Sequence, residues 1–398
     1  MAEAVWTASA GAVTTRVSDI MAEYGPRGLD RRHKDSWRML LARPRLVRAG
    51  QVLTDAFPAG TRFVQDVLLD GFARDVTAAL AADPPAMIVA NHGWLATAFT
   101  RARRRHGLTT PVVIYATEPF DASALWSTPG AEVVLAPSAA AQAALEGVGV
   151  PPGRVLQAGY PVADRFLRPP TKRDARASLG LDDGFTCLVT LGAEGVVSAD
   201  AVAALRGLAA SGVNVLCVTG RNVELKARLE AMVAAGADRT SGAHGHTADG
   251  AGGSVQVFGF VPDMERLLSA ADLVVGKAGP ASTMEALAVG RPVIATAYAG
   301  LNELAVTRFL SSHGLGEYVD GWARLTDAVC AWRGDSARVA AAASAAQRLD
   351  FGAMKRGLGA YLVACAHAGG GSLLDARGLL APGPFAAVTR SSLVGGTA

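Results

Sequence analysis

The sequence predicts an α/β protein built from two doubly wound, Rossmann-like units, and three observations carry that expectation. The chain has 398 residues, 50% hydrophobic and 18% charged, enough for two ordinary cores. Short apolar runs with the look of buried parallel strands alternate with longer helical stretches. The alternation then restarts after Pro169, Pro170 and the polar run Thr171–Arg176, where a first unit would hand over to a second.

In chain order, the strand candidates of the first unit are Met87–Ala90, Val112–Tyr115 and Val133–Ala136, with helical segments near 94–106 and 138–147 between them. Upstream, Val13–Ile20 is a further strand candidate. The second unit offers Thr186–Leu191, Val213–Val218, Val255–Phe258, Leu273–Val275 and Pro292–Ala295. Ala235–Gly253, rich in Gly, Ala, His and Thr, reads as a surface loop. Its His244 and His246 lack the Cys or carboxylate neighbours a metal site needs. The Ala-rich run Ala337–Arg348 is a helix on propensity. The expected partition is a first domain at 1–168, a second at 169–345, a helix at 346–368 and a flexible Gly- and Pro-rich tail at 369–398.

Global charge is uninformative: 38 Lys and Arg stand against 35 Asp and Glu, for a net charge of +3, which gives no reason to expect a nucleic-acid partner. Four scattered cysteines, Cys187, Cys217, Cys330 and Cys365, form no disulfide pattern and suit a reducing, cytoplasmic location. No apolar run approaches the roughly 18 to 20 residues needed to cross a bilayer.

The most informative stretch runs from Val257 to Val319, and its centre reads VVGKAGPASTMEALAVGRPVI. A strand ends in the turn Gly276–Gly279, and Pro280, Ala281, Ser282 and Thr283 open a helix. Small residues at such a junction let phosphates reach backbone N–H groups at the positive end of the helix dipole, and Ser282 and Thr283 add hydroxyls. A carboxylate close by suits the vicinal hydroxyls of a ribose better than the phosphates. That is the functional reading of Glu285, against the plainer one that it complements the helix dipole.

This stretch, extended upstream to GFVPDMERLLSAADL, resembles the donor-binding motif of GT-B glycosyltransferases. More narrowly it resembles the monogalactosyldiacylglycerol synthases and processive diacylglycerol glucosyltransferases, and more distantly the lipid-linked N-acetylglucosaminyltransferase of peptidoglycan synthesis. LVTLGAEG (188–195) and LCVTGRN (216–222) continue the resemblance, and PAMIVANHGW, VVIYATEPFDASALW, APSAAAQAAL and VLQAGYPVADRFLRP extend it through the first domain. The resemblance implies two Rossmann-like domains facing a cleft and an inverting hexosyltransferase using a UDP-sugar. It implies that Glu285 holds the ribose, Gly279–Thr283 the diphosphate, and Phe260, Arg221 and Asn222 the base, with Gly192 in the Gly-rich turn after the second domain's first strand. Asn302 and Glu303 stand where the family keeps a Gly-Gln-Glu-Glu run that reads the sugar hydroxyls. Here the run is Gly300-Leu301-Asn302-Glu303, which puts a glucose or galactose donor in question.

The family's first strand and its Gly-rich loop with a histidine have no counterpart, since the resemblance places residue 2 inside the first helix. Either a strand and loop lie upstream of Met1, or the first domain is incomplete. Inverting transfer needs a base for the acceptor hydroxyl, and the remaining candidates are Glu118, after Val112–Tyr115, and His92, after Met87–Ala90. His92 also reads as a structural histidine beside Asn91. No Asp-x-Asp occurs, so neither a metal nor another cofactor is expected.

Residues 31–48 carry seven Lys and Arg against one acid, interleaved with Trp37, Met39, Leu40, Leu41, Leu46 and Val47. Such a segment suits an anionic membrane surface, or else a solvated face. Arg101 with Arg103–Arg105 forms a second cluster. Together they point to peripheral membrane contact and a lipid acceptor, of the diacylglycerol or the polyprenyl or phosphoglycolipid type. Two other readings remain open: a nucleotide-sugar-binding protein without transferase activity, and a nucleotide-sugar 2-epimerase-like enzyme of the same architecture.

Overall fold

The computed structural model describes residues 1–25, 39, 43–128, 130–191, 199–237, 253–368 and 373–393. The chain divides into two compact units, the first made of Met1–Val162, Ala299–Val306 and Asp350–Gly395, the second of Ala163–Tyr298, Thr307–Leu349 and Gly396–Ala398. Against the expected partition, the 299–306 run and the C-terminal helix therefore belong with the first unit.

The first unit holds a four-stranded parallel sheet in the order β1 (Ile88–Ala90), β2 (Val112–Tyr115), β3 (Val133–Ala136), β4 (Val155–Gln157). β2 and β3 are buried along their whole length, as parallel strands covered on both faces must be. Ile114 and Val134 point into one core with Phe99 and Trp126, while Val113, Tyr115, Val133 and Leu135 meet Leu358, Tyr361 and Leu362 of the helix Phe351–His367. That helix takes the helix Ala2–Ala8 against its outer side. The approach is close enough that a Cβ at Gly359 would lie 2.3 Å from the Ala4 carbonyl oxygen, and the buried Lys355 ammonium bonds Glu3 Oε2 at 2.6 Å.

Two expectations are corrected in this unit. Val13–Ile20 is not a strand. Residues 13–19 run mostly exposed and pair with no strand among the described residues, and Asp19 accepts the Ala22 N–H at 3.2 Å to start the helix Ile20–Tyr24, so a cap displaces pairing. The tail is not loose over 373–393. Leu373, Phe385, Val388 and Leu393 are buried, and the Phe385 ring lies 5.4 Å from Phe120 and 5.9 Å from Phe351. Apolar residues spaced among the glycines and prolines anchor it.

The second unit is a six-stranded parallel sheet in the order β10-β9-β8-β5-β6-β7, with β5 at Thr186–Thr190, β6 at Asn214–Val218, β7 at Val255–Phe258, β8 at Leu273–Lys277, β9 at Val293–Ala297 and β10 at Gly316–Tyr318. From β5 the chain winds outward through β6 and β7, then crosses back to β8 and winds the other way. The reversal falls between β5 and β8, and in open parallel sheets ligands bind beyond the carboxyl ends of the strands at such a switch point. Asp272, just before β8, ties the sheet's lower edge by accepting from Arg176 Nη2 at 2.7 Å and from the Thr186 N–H at 2.8 Å, with Lys172 as a further partner. The expected Ala235–Gly253 loop begins inside the helix Val223–Ala237, and His244 and His246 lie outside the described residues.

Candidate active site

At the switch point the backbones of β5 and β8 come together closely. A Cβ at Gly276 would stand 2.4 Å from Thr190 Oγ1, so the narrow end of β8 needs glycine there. The strand closes in a tight turn, with the Gly279 N–H on the Lys277 carbonyl at 2.7 Å. Gly279 then serves as N-cap and Pro280 as the first residue of the helix Pro280–Ala288, a position where a missing N–H costs nothing. The first N–H returned to the helix ladder is that of Thr283, to the Gly279 carbonyl at 3.0 Å. The N–H groups of Ala281 and Ser282 precede it and belong to the first-turn donors that a helix leaves unsatisfied; both residues are exposed. Thr283 is buried, and its hydroxyl has no hydrogen-bond partner.

Glu285 is half-buried, beyond the helix's first turn, which holds no acid. The helix-dipole reading therefore fits it poorly, because that effect fades after one turn. Burial raises its carboxyl above the usual range, Arg165 pulls it back down, and Glu265 adds to the rise. Arg165 is held by its Nη1 donating to the Pro262 carbonyl at 3.0 Å and by Glu265 Oε2 at 3.6 Å from its Nε. Sequence reasoning missed this Arg165–Glu265 pair. Glu265 sat in the quoted motif, but its partner lies one hundred positions upstream (265 − 165).

Beyond β6, Gly220 turns through a positive φ of 61°, and Asn222 Oδ1 accepts the Leu225 N–H at 2.9 Å to cap the helix Val223–Ala237. The Arg221 guanidinium lies 5.1 Å from the centre of the Phe260 ring, a flat cation–π surface beside an exposed aromatic. The ends of β6 and β7 are joined by the Thr219 N–H on the Phe258 carbonyl at 2.9 Å. The switch-point turn, Glu285 and the Arg221–Phe260 pair thus all belong to the carboxyl edge of one sheet. Gly192 lies outside the described residues.

Asn302 and Glu303 count with the first unit. Glu303 is buried, and its carboxylate accepts the Ala299 N–H at 2.6 Å, while the Leu301 N–H donates to Gln51 Oε1 at 2.8 Å. Glu303 therefore closes the turn into the helix Leu301–Ser312, a structural use that the expected sugar-reading role did not include.

In the first unit, Glu118 and His92 follow adjacent strands, since Ala90 pairs with Ile114. His92 is exposed, in extended conformation, at the N-cap of the helix Gly93–Arg105. Glu118 Oε2 is enclosed without a hydrogen-bond partner. Burial pushes the carboxyl up to about 7 and Asp121 adds to the rise, against hydrogen bonds from its own backbone N–H and the Trp126 indole. Around it stand groups that sequence reasoning did not single out. Asp55 Oδ1 accepts the Ala124 N–H at 2.7 Å, and Arg390 Nη2 lies 3.4 Å from Asp121 Oδ1.

The second basic cluster is corrected at Arg101 alone. Arg101 is buried, 2.6 Å from Asp70 and 3.2 Å from Asp66; half-buried Arg103 donates to the Thr109 carbonyl at 2.7 Å, and Arg104, 3.3 Å from Asp66, is exposed, as is Arg105. The helix Gly93–Arg105 thus turns one side of the cluster toward acids and carbonyls of its neighbours and leaves the other to solvent. Of the 31–48 segment, 39 and 43–48 are described. Among the described residues, no group of three or more His, Cys, Asp or Glu could hold a metal, and no helix is long and apolar enough to cross a membrane.

The strand, tight glycine turn and helix at the switch point lie within a run that a family model matches. Residues 187–303 match the glycosyltransferase family 28 C-terminal domain. Over 320 residues the chain is 25% identical to monogalactosyldiacylglycerol synthase of Spinacia oleracea, covering 77% of this chain and 55% of that protein. The chain thus spans about half the length of the curated relatives it matches. Among solved structures it is similar to Anabaena Alr3699/HepE in complex with UDP, at 19% identity and a TM-score of 0.51 over 73% of this chain and 82% of that one. It is similar also to a putative UDP-N-acetylglucosamine 2-epimerase of Listeria monocytogenes, at 13% identity and a TM-score of 0.55 over 75% and 79%. At these identities the structural likeness speaks for the fold, which is GT-B.

Proposed function

We propose that this protein is an inverting glycosyltransferase that moves a sugar from a UDP-sugar to a lipid acceptor, of the diacylglycerol or polyprenyl type, at the cytoplasmic face of a membrane. The observation that carries the reading is the β8 turn. It places the Ala281 and Ser282 N–H groups at a switch point, with the buried, unpartnered Thr283 hydroxyl and then Glu285 following on the same helix. The N–H groups receive the diphosphate and the charge that develops on it as the sugar leaves. Glu285 accepts from the ribose hydroxyls, and the Arg221–Phe260 surface takes the flat uracil. Glu118, raised to about 7, takes the proton of the acceptor hydroxyl, which attacks the anomeric carbon from the side opposite the departing UDP. His92 is the second candidate for that step. No metal or other cofactor is required in this scheme, because the leaving charge is met by the helix terminus.

Calorimetric titration with UDP tests the donor site. Glu285→Ala should weaken binding about 10- to 100-fold, the worth of hydrogen bonds to a charged group, and unchanged affinity would overturn the assignment. Incubation with radiolabelled UDP-sugars and a lipid extract tests the reaction. Labelled lipid is the expected product. Released epimer would favour the 2-epimerase-like reading, and tight UDP binding with no product a binding protein.

A further inference from the structure

A cavity of the first unit opens at the other edge of its sheet from Glu118 and His92. Those two follow β2 and β1, at the carboxyl ends of the strands. The cavity is walled instead by residues just before β3 and β4 and by Arg62 of the helix Pro58–Leu68. It measures about 520 Å³, within the roughly 300–1,000 Å³ of small-molecule sites. Nothing in it serves the proposed sugar transfer.

Its wall carries positive charge that the protein leaves uncompensated. Arg62 is half-buried, and its Nη1 donates to two neutral partners, Ser127 Oγ at 3.0 Å and the Val148 carbonyl at 3.3 Å. Arg154, exposed, donates from Nη1 to the Glu132 carbonyl at 3.1 Å. Among the described residues neither guanidinium meets a carboxylate, whereas Arg101, Arg103 and Arg104 of the helix Gly93–Arg105 all do. The acid in the wall, Glu132, is already paired with Arg103 through Oε1. Gly149 turns through a φ of 100°, which glycine alone adopts readily, and a Cβ there would stand 3.4 Å from Arg62 Nη1. The missing side chain leaves room beside the guanidinium. Thr128, also in the wall, is buried, and its hydroxyl has no hydrogen-bond partner, an unmet polar group of the kind that an extra molecule satisfies.

Two unpaired guanidiniums match one doubly charged phosphate, whose oxygens accept paired N–H bonds from each fork. The apolar side chains of the wall are those of Ala131 and Pro151, too little for an acyl chain or a flat base to lie on. A polar body suits it better, with Glu132 Oε2 to accept from a hydroxyl. We infer that this cavity is a second binding site, for a phosphorylated polyol of the sugar-phosphate class, with Arg62 and Arg154 on the phosphate. It does not rest on the nucleotide reading of the β8 turn.

Calorimetric titration of the full chain with glucose 6-phosphate tests it, with inorganic phosphate and glucose alongside. Glucose 6-phosphate should bind with a dissociation constant of about 0.1–1 mM, ordinary for a small polar ligand, and inorganic phosphate about three- to tenfold more weakly. Glucose should give no heat. Arg62→Gln should weaken glucose 6-phosphate about 10- to 100-fold and Arg154→Gln about tenfold, by loss of hydrogen bonds to a charged group. Should Arg62→Gln fail to fold for want of its ties to Ser127 and Val148, Arg154→Gln, at an exposed position, carries the test. Wild type that does not bind glucose 6-phosphate, or Arg154→Gln that binds it equally well, would overturn the inference. So would binding lost in Glu285→Ala, which would put the phosphate at the β8 turn, or displacement by a short-chain phosphatidic acid, which would make the ligand a lipid headgroup. Wild type that binds glucose 6-phosphate but not UDP supports this site and sinks the donor reading alone.

Discussion

Glu118 is the enclosed carboxyl of the first unit and the base proposed for sugar transfer. Its ordinary value of 4.5 rises to about 7 because burial disfavours the charged form, and the enclosed Oε2 has no donor to offset that. A carboxyl raised in the folded state keeps its proton between those two values while the unfolded chain has already released it. Its contribution is therefore fully present below the ordinary range and is lost as pH rises through about 7. Glu118→Gln keeps the shape without the charge, so the variant should equal wild type in thermal stability at pH 5 and exceed it at pH 8 by on the order of 1–3 kcal/mol. Melting curves at both values check this, and parallel profiles would refute the buried, raised carboxyl. For sugar transfer the same residue should give a rate that climbs through about pH 7 in wild type. Glu118→Gln should then lower kcat about 10²- to 10⁴-fold and flatten that limb.

The tail and the first helix show how single elements are fixed by contacts far along the chain. Phe385 is fully buried between Phe120 and Phe351, and Phe385→Ala should cost about 3–5 kcal/mol. A loss under about 1 kcal/mol in chemical denaturation would return the tail to a loose appendage. The β8 turn proposed as the donor site was legible in the sequence because strand, glycine turn and helix lie within one local run, Leu273–Ala288. The long apolar strands were legible for the same reason. β4, Val-Leu-Gln, and β10, Gly-Glu-Tyr, lack the unbroken apolar run that marks the equally short β1. The tail was misread because its four anchors are spread over twenty-one positions (393 − 373 + 1) among Gly, Pro and Ser. Asp55 and Arg390 reach the neighbourhood of Asp121 from two distant segments, and no local pattern announces that convergence.

Across the whole molecule, two parallel sheets of four and six strands each have their own core, and the β8 turn, Glu285 and the Arg221–Phe260 pair all lie with the larger one. A ligand stabilises what it binds by mass action, so UDP at a hundred times its dissociation constant should add about 2.7 kcal/mol to the state that holds the site. The gain should be unevenly distributed. Amides at the end of β8 and in the first turn of Pro280–Ala288 should slow most in hydrogen exchange, followed by those around Gly220 and Phe260. The amides of β2 and β3, buried in the other sheet, should change least. Glu285→Ala at the same UDP concentration should abolish most of the protection in β8 and its helix. Protection centred on β2 and β3 instead would move the nucleotide to the first unit and leave the β8 turn as a packing feature of the fold.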